Sequence, residues 1–178
     1  MWFGVPAILK GWFDRVFVYG GFYTSQNRYE RGPMAGHRAL LSVTVGDSEQ
    51  AYCHDGLGGD LAALLWPTHY MLRFIGFSVV QPIVTFGVHG GLNAGNADEA
   101  AVEDRVRHSE ETLARRLPGV MEEPELPFNV WADFSESGRL RPDAPVYSPF
   151  IRKRLEFEAA PDWPGPFMPN VQSVAQSN

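Results

Sequence analysis

Three short stretches hold the residue types that could do chemistry. Thr44-Val45-Gly46-Asp47 leads, five residues on, to Tyr52. Gly87–Gly95 is rich in glycine, which lets a ligand approach the backbone. Met1–Val5 offers the rings of Trp2 and Phe3 beside backbone N–H groups. Aromatics, hydroxyls and amides with few charges suit a flat polar heterocycle better than a phosphate cage. Composition alone makes Trp2 and Phe3 more simply core aromatics. Other chemistries find less support. Gly87–Gly95 spells neither a P-loop nor a GxGxxG fingerprint. His37, His54, His69, His89 and His108 are scattered, and no helix pairs two of them, so no metal site is expected. Cys53-His54-Asp55 contains a nucleophile and a base, but sequence neighbours point apart in most backbones. Glu122-Glu123 and Glu156/Glu158 read as solvated surface.

The elements that must position these groups alternate. Within Trp2–Phe22, Pro6 suits a first helical position. Ile8, Leu9, Trp12, Phe13, Val16 and Phe17 then form an apolar stripe at helical spacing, and Lys10 can pair with Asp14. A polar loop, Tyr23–Arg38, precedes Ala39–Val45, a continuous apolar run of strand length. After the loop Glu49–Gly59, Asp60 should cap a helix carrying Leu61, Leu64, Leu65, Met71, Leu72 and Ile75 and stopped by Gly76. Pro67 inside it predicts a kink or a break. Phe77–Phe86 is the second strand, with Pro82 pushing it towards a sheet edge. Asn96 followed by Glu99 resembles a third helix start, with Val102, Val106, Leu113 and Leu117 on its buried face and Pro118-Gly119 as its end. From Glu122 onward proline recurs every few residues, which predicts an extended tail whose last residues, Gln172–Asn178, are disordered.

This order implies an α/β fold with a parallel sheet, and in such sheets ligands bind outside the carboxyl ends of the strands. All three candidate stretches meet that rule, the first if a strand precedes it. Two strands, however, make a poor sheet. The chain of 178 residues is long enough for one domain with a real core. Its formal charge of −6 argues against a nucleic-acid surface. Cys53 is its single cysteine, which excludes an internal disulfide and points to a reducing compartment. No apolar run reaches the roughly 20 residues that cross a bilayer, and the first residues lack the features of a signal peptide. A cytoplasmic protein without membrane insertion is the expectation.

The residues themselves resemble a family. WFGVPAILKGWFDRVF, with Tyr23 following, is similar to the signature segment of NAD(P)H:quinone oxidoreductases with a flavodoxin-like fold. LSVTVGDSEQAYCHDGLGGD resembles their fourth-strand exit and active-site loop, and LLWPTHYMLRFIGFSVVQP their next helix and strand. The resemblance implies a flavoprotein that takes hydride from NAD(P)H and passes two electrons to a quinone by ping-pong turnover. It implies FAD rather than FMN, and a homodimer with the site at the interface. Carried over by position, Trp2 and Phe3 line the flavin, and Thr44, Val45, Gly46 and Asp47 form its loop. Tyr52 is the active-site tyrosine, Tyr23 and Phe74 border the acceptor pocket, and Tyr23 reaches the partner's site. Arg105 or Arg107 helps hold the cofactor's phosphates. An alternative the family allows is a non-catalytic ancillary subunit of a potassium-efflux transporter.

Three departures stand out. Gly58 occupies the position of a catalytic histidine, which leaves Tyr52, amides or water to stabilise charge. Val45 and Asp47 replace residues more often Thr and Gly, and Asp47 should point outward. The family's first three strands and its phosphate-binding loop have no counterpart here. The expectation is therefore an incomplete flavodoxin-like sheet: residues 1–121 as the C-terminal part of a flavin-binding domain in an N-terminally truncated member, and residues 122–178 as the proline-rich tail.

Overall fold

The structure is a computed structural model, and it describes residues 3–89 and 99–150. The calls on Met1, Trp2, Gly90–Gly95, Asn96 and the last residues, Gln172–Asn178, lie outside that range. Among the described residues, four short strands and three α-helices alternate: α1 (Ala7–Val16), β1 (Arg38–Ala39), β2 (Ser42–Thr44), α2 (Leu61–Phe74), β3 (Ser78–Val79), β4 (Ile83–Thr85) and α3 (Glu99–Arg116).

Both strand pairings are parallel. β1 pairs with β3, Arg38 opposite Ser78, and β2 pairs with β4, Ser42 opposite Ile83. Four steps along the first strand therefore face five along the second. The additional residue falls at Val80-Gln81-Pro82, a bulge where the proline, which lacks an N–H, is spared a ladder position. Backbone bonds carry the ladder across the gap, from Val80 N–H to the Ala39 carbonyl at 3.0 Å and from Ile83 N–H to the Leu41 carbonyl at 2.8 Å. Each expected strand thus forms, but as two pieces joined at a bulge. The far side of the second strand is covered by the chain after α3: Glu125 bridges Val80 antiparallel, and Leu126 N–H donates to the Val79 carbonyl at 2.7 Å.

α2 is built as its ends predict. The Asp60 carboxylate accepts from Ala62 N–H at 2.8 Å and from Ala63 N–H at 3.4 Å. At the other end Gly76 takes φ 106°, Gly76 N–H donates to the Arg73 carbonyl and Phe77 N–H to the Leu72 carbonyl. This left-handed closure needs a glycine. The expected break at Pro67 does not occur, and the helix runs unbroken from Leu61 to Phe74. Leu65, Thr68, His69 and Leu72 are buried on both sides of the proline, so tertiary packing outweighs the lost hydrogen bond.

The core cluster is Phe13, Ala39, Leu72 and Val79, flanked by Phe17, Leu41, Met71, Phe77, Leu126 and Phe128. α1 contributes less to it than its stripe predicts. Phe13 is buried, but Ile8 is 86 % exposed and Trp12 51 % exposed. Trp12, Phe13 and Phe17 pack on one another at centroid distances of 5.2–5.5 Å. The stripe forms as a helix face, but among the described residues little covers its outer half. α3 meets expectation only in part, with Val102 and Leu113 half-buried. Val106 and Leu117 are exposed, whereas Arg105, Ser109 and Arg116 reach the sheet. Polar contacts fix this face: Thr85 Oγ1 donates to Ser109 Oγ at 2.6 Å, and Arg116 donates to the Gln81 carbonyl at 2.8 Å while gripping Glu123 with two nitrogens.

Candidate functional site

The carboxyl ends of the two strands are tied together by backbone bonds. Val45 N–H donates to the Thr85 carbonyl at 3.0 Å, Val88 N–H to the Val45 carbonyl at 3.2 Å, and Gly87 N–H to the Asp47 carbonyl at 2.8 Å. The loop Thr44–Asp47 and the loop Gly87–His89 therefore form one surface. Val45 is wholly buried and serves as its floor, while Thr44 is exposed. Gly46 is held close to His89: a Cβ there would stand 3.0 Å from the imidazole Cδ2. The Asp47 carboxylate accepts from Ser48 N–H at 2.7 Å, so it is turned back on its own loop. Arg105 reaches this surface from α3, its Nη1 donating to the Gly87 carbonyl at 2.8 Å. Arg107 does not, because it pairs with Asp104 on the outer face of α3. A groove of about 610 Å³ between β4 and α3 is lined by Thr85, Arg105, His108 and Ser109.

Tyr52 ends a single 3₁₀ turn, Gln50–Tyr52, in the loop after β2. Its ring lies 6.4 Å from that of Phe86, which follows β4, so the tyrosine faces the second strand's exit. Gly58 packs against it. Gly58 N–H donates to the Ala51 carbonyl at 2.7 Å, and a Cβ at residue 58 would meet the Tyr52 ring at 2.9 Å. Phe3 is 63 % exposed and takes φ 54°, an unusual conformation for an aromatic residue.

Tyr23 and Phe74 are brought together elsewhere, edge to face at 4.9 Å. Phe74 is the last residue of α2, whereas the Tyr52 loop enters α2 at Asp60. A helix of 14 residues separates these ends by about 20 Å. One chain therefore holds the two groups at opposite ends of a helix. The loop Tyr23–Arg38 closes over the Phe74 end. Met34 N–H donates to the Ile75 carbonyl at 3.0 Å, and Gly32 lies so close that a Cβ would stand 2.4 Å from the Ile75 carbonyl carbon.

A hub at this end was not foreseen. Tyr29 takes φ 52° and touches Tyr70, Phe74 and Trp131, all edge to face. Burial, and then its contact with the Tyr70 hydroxyl at 3.4 Å, raise its pKa well above the ordinary phenol value. Arg28 lies over Tyr29, Phe74 and Trp131, its guanidinium carbon 5.0–5.7 Å from the ring centroids. The sequence carries one faint signal of this, the two tyrosines Tyr23 and Tyr29 within one long loop. Trp131 is a hundred residues away, where spacing says nothing. His69, inside α2, is buried, and burial lowers its pKa to about 4, so its imidazole is neutral.

A short parallel sheet with helices between its strands and tied loops at their carboxyl ends is the flavodoxin-like arrangement. The family model for the flavodoxin-like fold matches residues 1–111, and the chain belongs to that family. Its relatives narrow the likeness. It is 49 % identical over 88 residues to NAD(P)H dehydrogenase [quinone] 1 of Cavia porcellus, covering 49 % of this chain and 32 % of that one. It is 37 % identical over 136 residues to human ribosyldihydronicotinamide dehydrogenase [quinone], covering 76 % of this chain and 54 % of that one. The crystal structure of a protein from Klebsiella pneumoniae assigned as a quinone reductase superposes with a TM-score of 0.61 at 30 % identity, covering 80 % of this chain and 56 % of that one. The chain thus spans between a third and about half the length of the curated relatives it matches. Among the described residues, no helix is long and apolar enough to cross a membrane.

Proposed function

We propose that this chain supplies the quinone-side half of a flavin site and takes part in two-electron transfer from NAD(P)H to a quinone. The observation that carries the reading is the tied surface Thr44–Asp47 with Gly87–His89, beside Tyr52. Its parts fit a flavin: an exposed threonine, the backbone of the Gly46 loop, and a carboxylate turned away. When bound, the flavin, FAD by the family's usual choice, supplies a reversible two-electron acceptor for hydride. The chain's residues do the rest. Thr44 and the Gly46 backbone hold the edge of the ring, and Phe3 (with Trp2) offers it an aromatic wall. The Tyr52 hydroxyl donates a hydrogen bond where negative charge develops, the role a pre-placed donor performs best. Asp47, pointing away, adds no opposing charge. Arg105 offers the cofactor's phosphates the guanidinium edge that Gly87 leaves free.

The separation of Tyr52 from Tyr23 and Phe74 by the length of α2 supports a homodimer. Two copies related by a two-fold axis put the Tyr52 loop of each against the Tyr23–Phe74 end of the other, which completes two equivalent acceptor pockets. A cytoplasmic location accompanies this reading, since NAD(P)H is available there.

The test is titration of the purified chain with FAD, following flavin fluorescence, alongside analytical ultracentrifugation. Saturable quenching and a dimer mass support the reading. Unquenched flavin over an intact monomer overturns it. A second reading, a non-catalytic ancillary subunit of a transporter, rests on the exposed stripe Ile8–Trp12 of α1. It predicts cofractionation with membranes and function indifferent to Tyr52→Phe.

A further inference from the structure

Arg28 is placed as a recognition group rather than as a clasp. Its guanidinium carbon lies 5.0 Å from the Trp131 centroid, 5.6 Å from Tyr29 and 5.7 Å from Phe74. Its Nε has essentially no exposed surface and no hydrogen-bond partner among the described residues. A half-buried cation without a counter-ion is costly, and rings offset only part of that cost. Of the carboxylates in these segments, Glu30 and Asp133 are already spent, and Glu136 shares the cavity wall with Arg28 without pairing to it. Glu30 pairs with Arg73, and Asp133 accepts from Asn129 Nδ2 and Val130 N–H, both at 2.9 Å. Glu136 is exposed, and no ion pair joins it to Arg28 among the described residues.

Arg28 also lines a cavity of about 220 Å³, with Tyr29, Trp131, Phe134, Ser135 and Glu136 among its other walls. That volume lies below the range of about 300–1,000 Å³ for drug-sized pockets, so it fits one or two fused rings. Aromatic walls accept a planar ring, and a guanidinium edge accepts a carboxylate in two parallel bonds.

We propose that Arg28 makes this cavity a recognition site for a small planar aromatic carboxylate, its rings against Trp131 and Phe134 and its anion on the guanidinium. The proposal names the chemistry of the acceptor at the Phe74 end and rests on the reading above for its purpose, though not for the binding step. An acceptor quinone bearing an acidic substituent would then be preferred to a neutral one.

The experiment is calorimetric titration of the whole chain, without flavin or nicotinamide, with naphthalene-2-carboxylate and with naphthalene-2-carboxamide. The two share a ring and differ in charge. The carboxylate should bind about tenfold more tightly, the factor that one charge-assisted hydrogen bond contributes. Arg28→Gln should reduce the ratio to within about twofold, and Arg28→Lys should keep part of it. Equal affinities in the unaltered chain overturn the proposal, and so does a preference that survives Arg28→Gln. The unaltered comparison decides the matter even if Arg28→Gln fails to fold. Carboxylate preference in a chain that binds no flavin would sink the quinone reading and leave the anion site standing.

Discussion

Gly58 backs directly onto Tyr52. A Cβ at residue 58 would stand 2.9 Å from Tyr52 Cε1 and 2.9 Å from the Ala51 carbonyl oxygen, and the Gly58 N–H already donates to that oxygen. The ring can give way, but the backbone oxygen cannot without breaking the turn. The position that the resemblance assigns to a histidine therefore has no room for one in this loop. Gly58→Ala should lose about 1–3 kcal/mol of stability. Gly58→His should lose at least as much and displace Tyr52. Chemical denaturation with unchanged slope checks the first expectation. A histidine variant as stable as the unaltered chain would show that the loop is looser than described.

Gly32 makes a second close approach, and here no side chain can yield. A Cβ would lie 2.4 Å from the carbonyl carbon of Ile75 and 2.6 Å from Gly76 N. Gly32→Ala should lift the loop Tyr23–Arg38 from the end of α2 and uncouple Tyr29 from Phe74. Faster hydrogen exchange at Met34, whose N–H donates to the Ile75 carbonyl, is the expected readout, with Lys10 and its neighbours in α1 unchanged. Native exchange at Met34 would contradict it.

His69 sets a pH dependence. Its folded pKa, about 4 through burial, lies below the ordinary histidine value of 6.5. Above 6.5 neither state is protonated, and the group makes no difference. Between 6.5 and 4 the unfolded chain takes up a proton that the folded chain refuses, so stability falls as the pH falls. The total is about 3 kcal/mol. His69→Gln should flatten the unfolding free energy between pH 7 and pH 4 relative to the unaltered chain. Parallel curves for the two would contradict the burial argument.

Asp60 is the N-cap of α2, and two N–H groups depend on it. Asp60→Ala should cost about 1 kcal/mol, and Asp60→Asn much less. Thermal unfolding of the two variants separates the cap from the charge.

Much of the scaffold was legible in the sequence because its signals are local. Asp60 and Gly76 mark the ends of α2, and the apolar runs around Val43 and Val79 mark the strands. Local signals misled where distant packing decided. Pro67 breaks nothing because Leu65, Thr68, His69 and Leu72 bury the helix around it. Val106 turns outward because Arg105 and Ser109, polar residues with partners on Gly87 and Thr85, claim the sheet side of α3. The Arg28 cage was invisible, since it joins a loop, the end of a helix and a 3₁₀ turn (Trp131–Asp133) that no periodicity links. Of the proposed site, Thr44–Asp47 and Tyr52 were picked out by residue type and order, whereas Tyr23 and Phe74 came only from the family resemblance. That α2 holds the two groups apart required coordinates.

The central claim is electron transfer, and one measurement tests it most directly. The flavin-loaded chain is mixed anaerobically with NAD(P)H and then with a quinone, while visible flavin absorbance is followed. The account predicts bleaching on the first addition, recovery on the second, and slowing of at least one of these by Tyr52→Phe while flavin affinity holds. A chain that binds flavin yet leaves NAD(P)H unconsumed, or a Tyr52→Phe variant as fast as the unaltered chain in both steps, would contradict it.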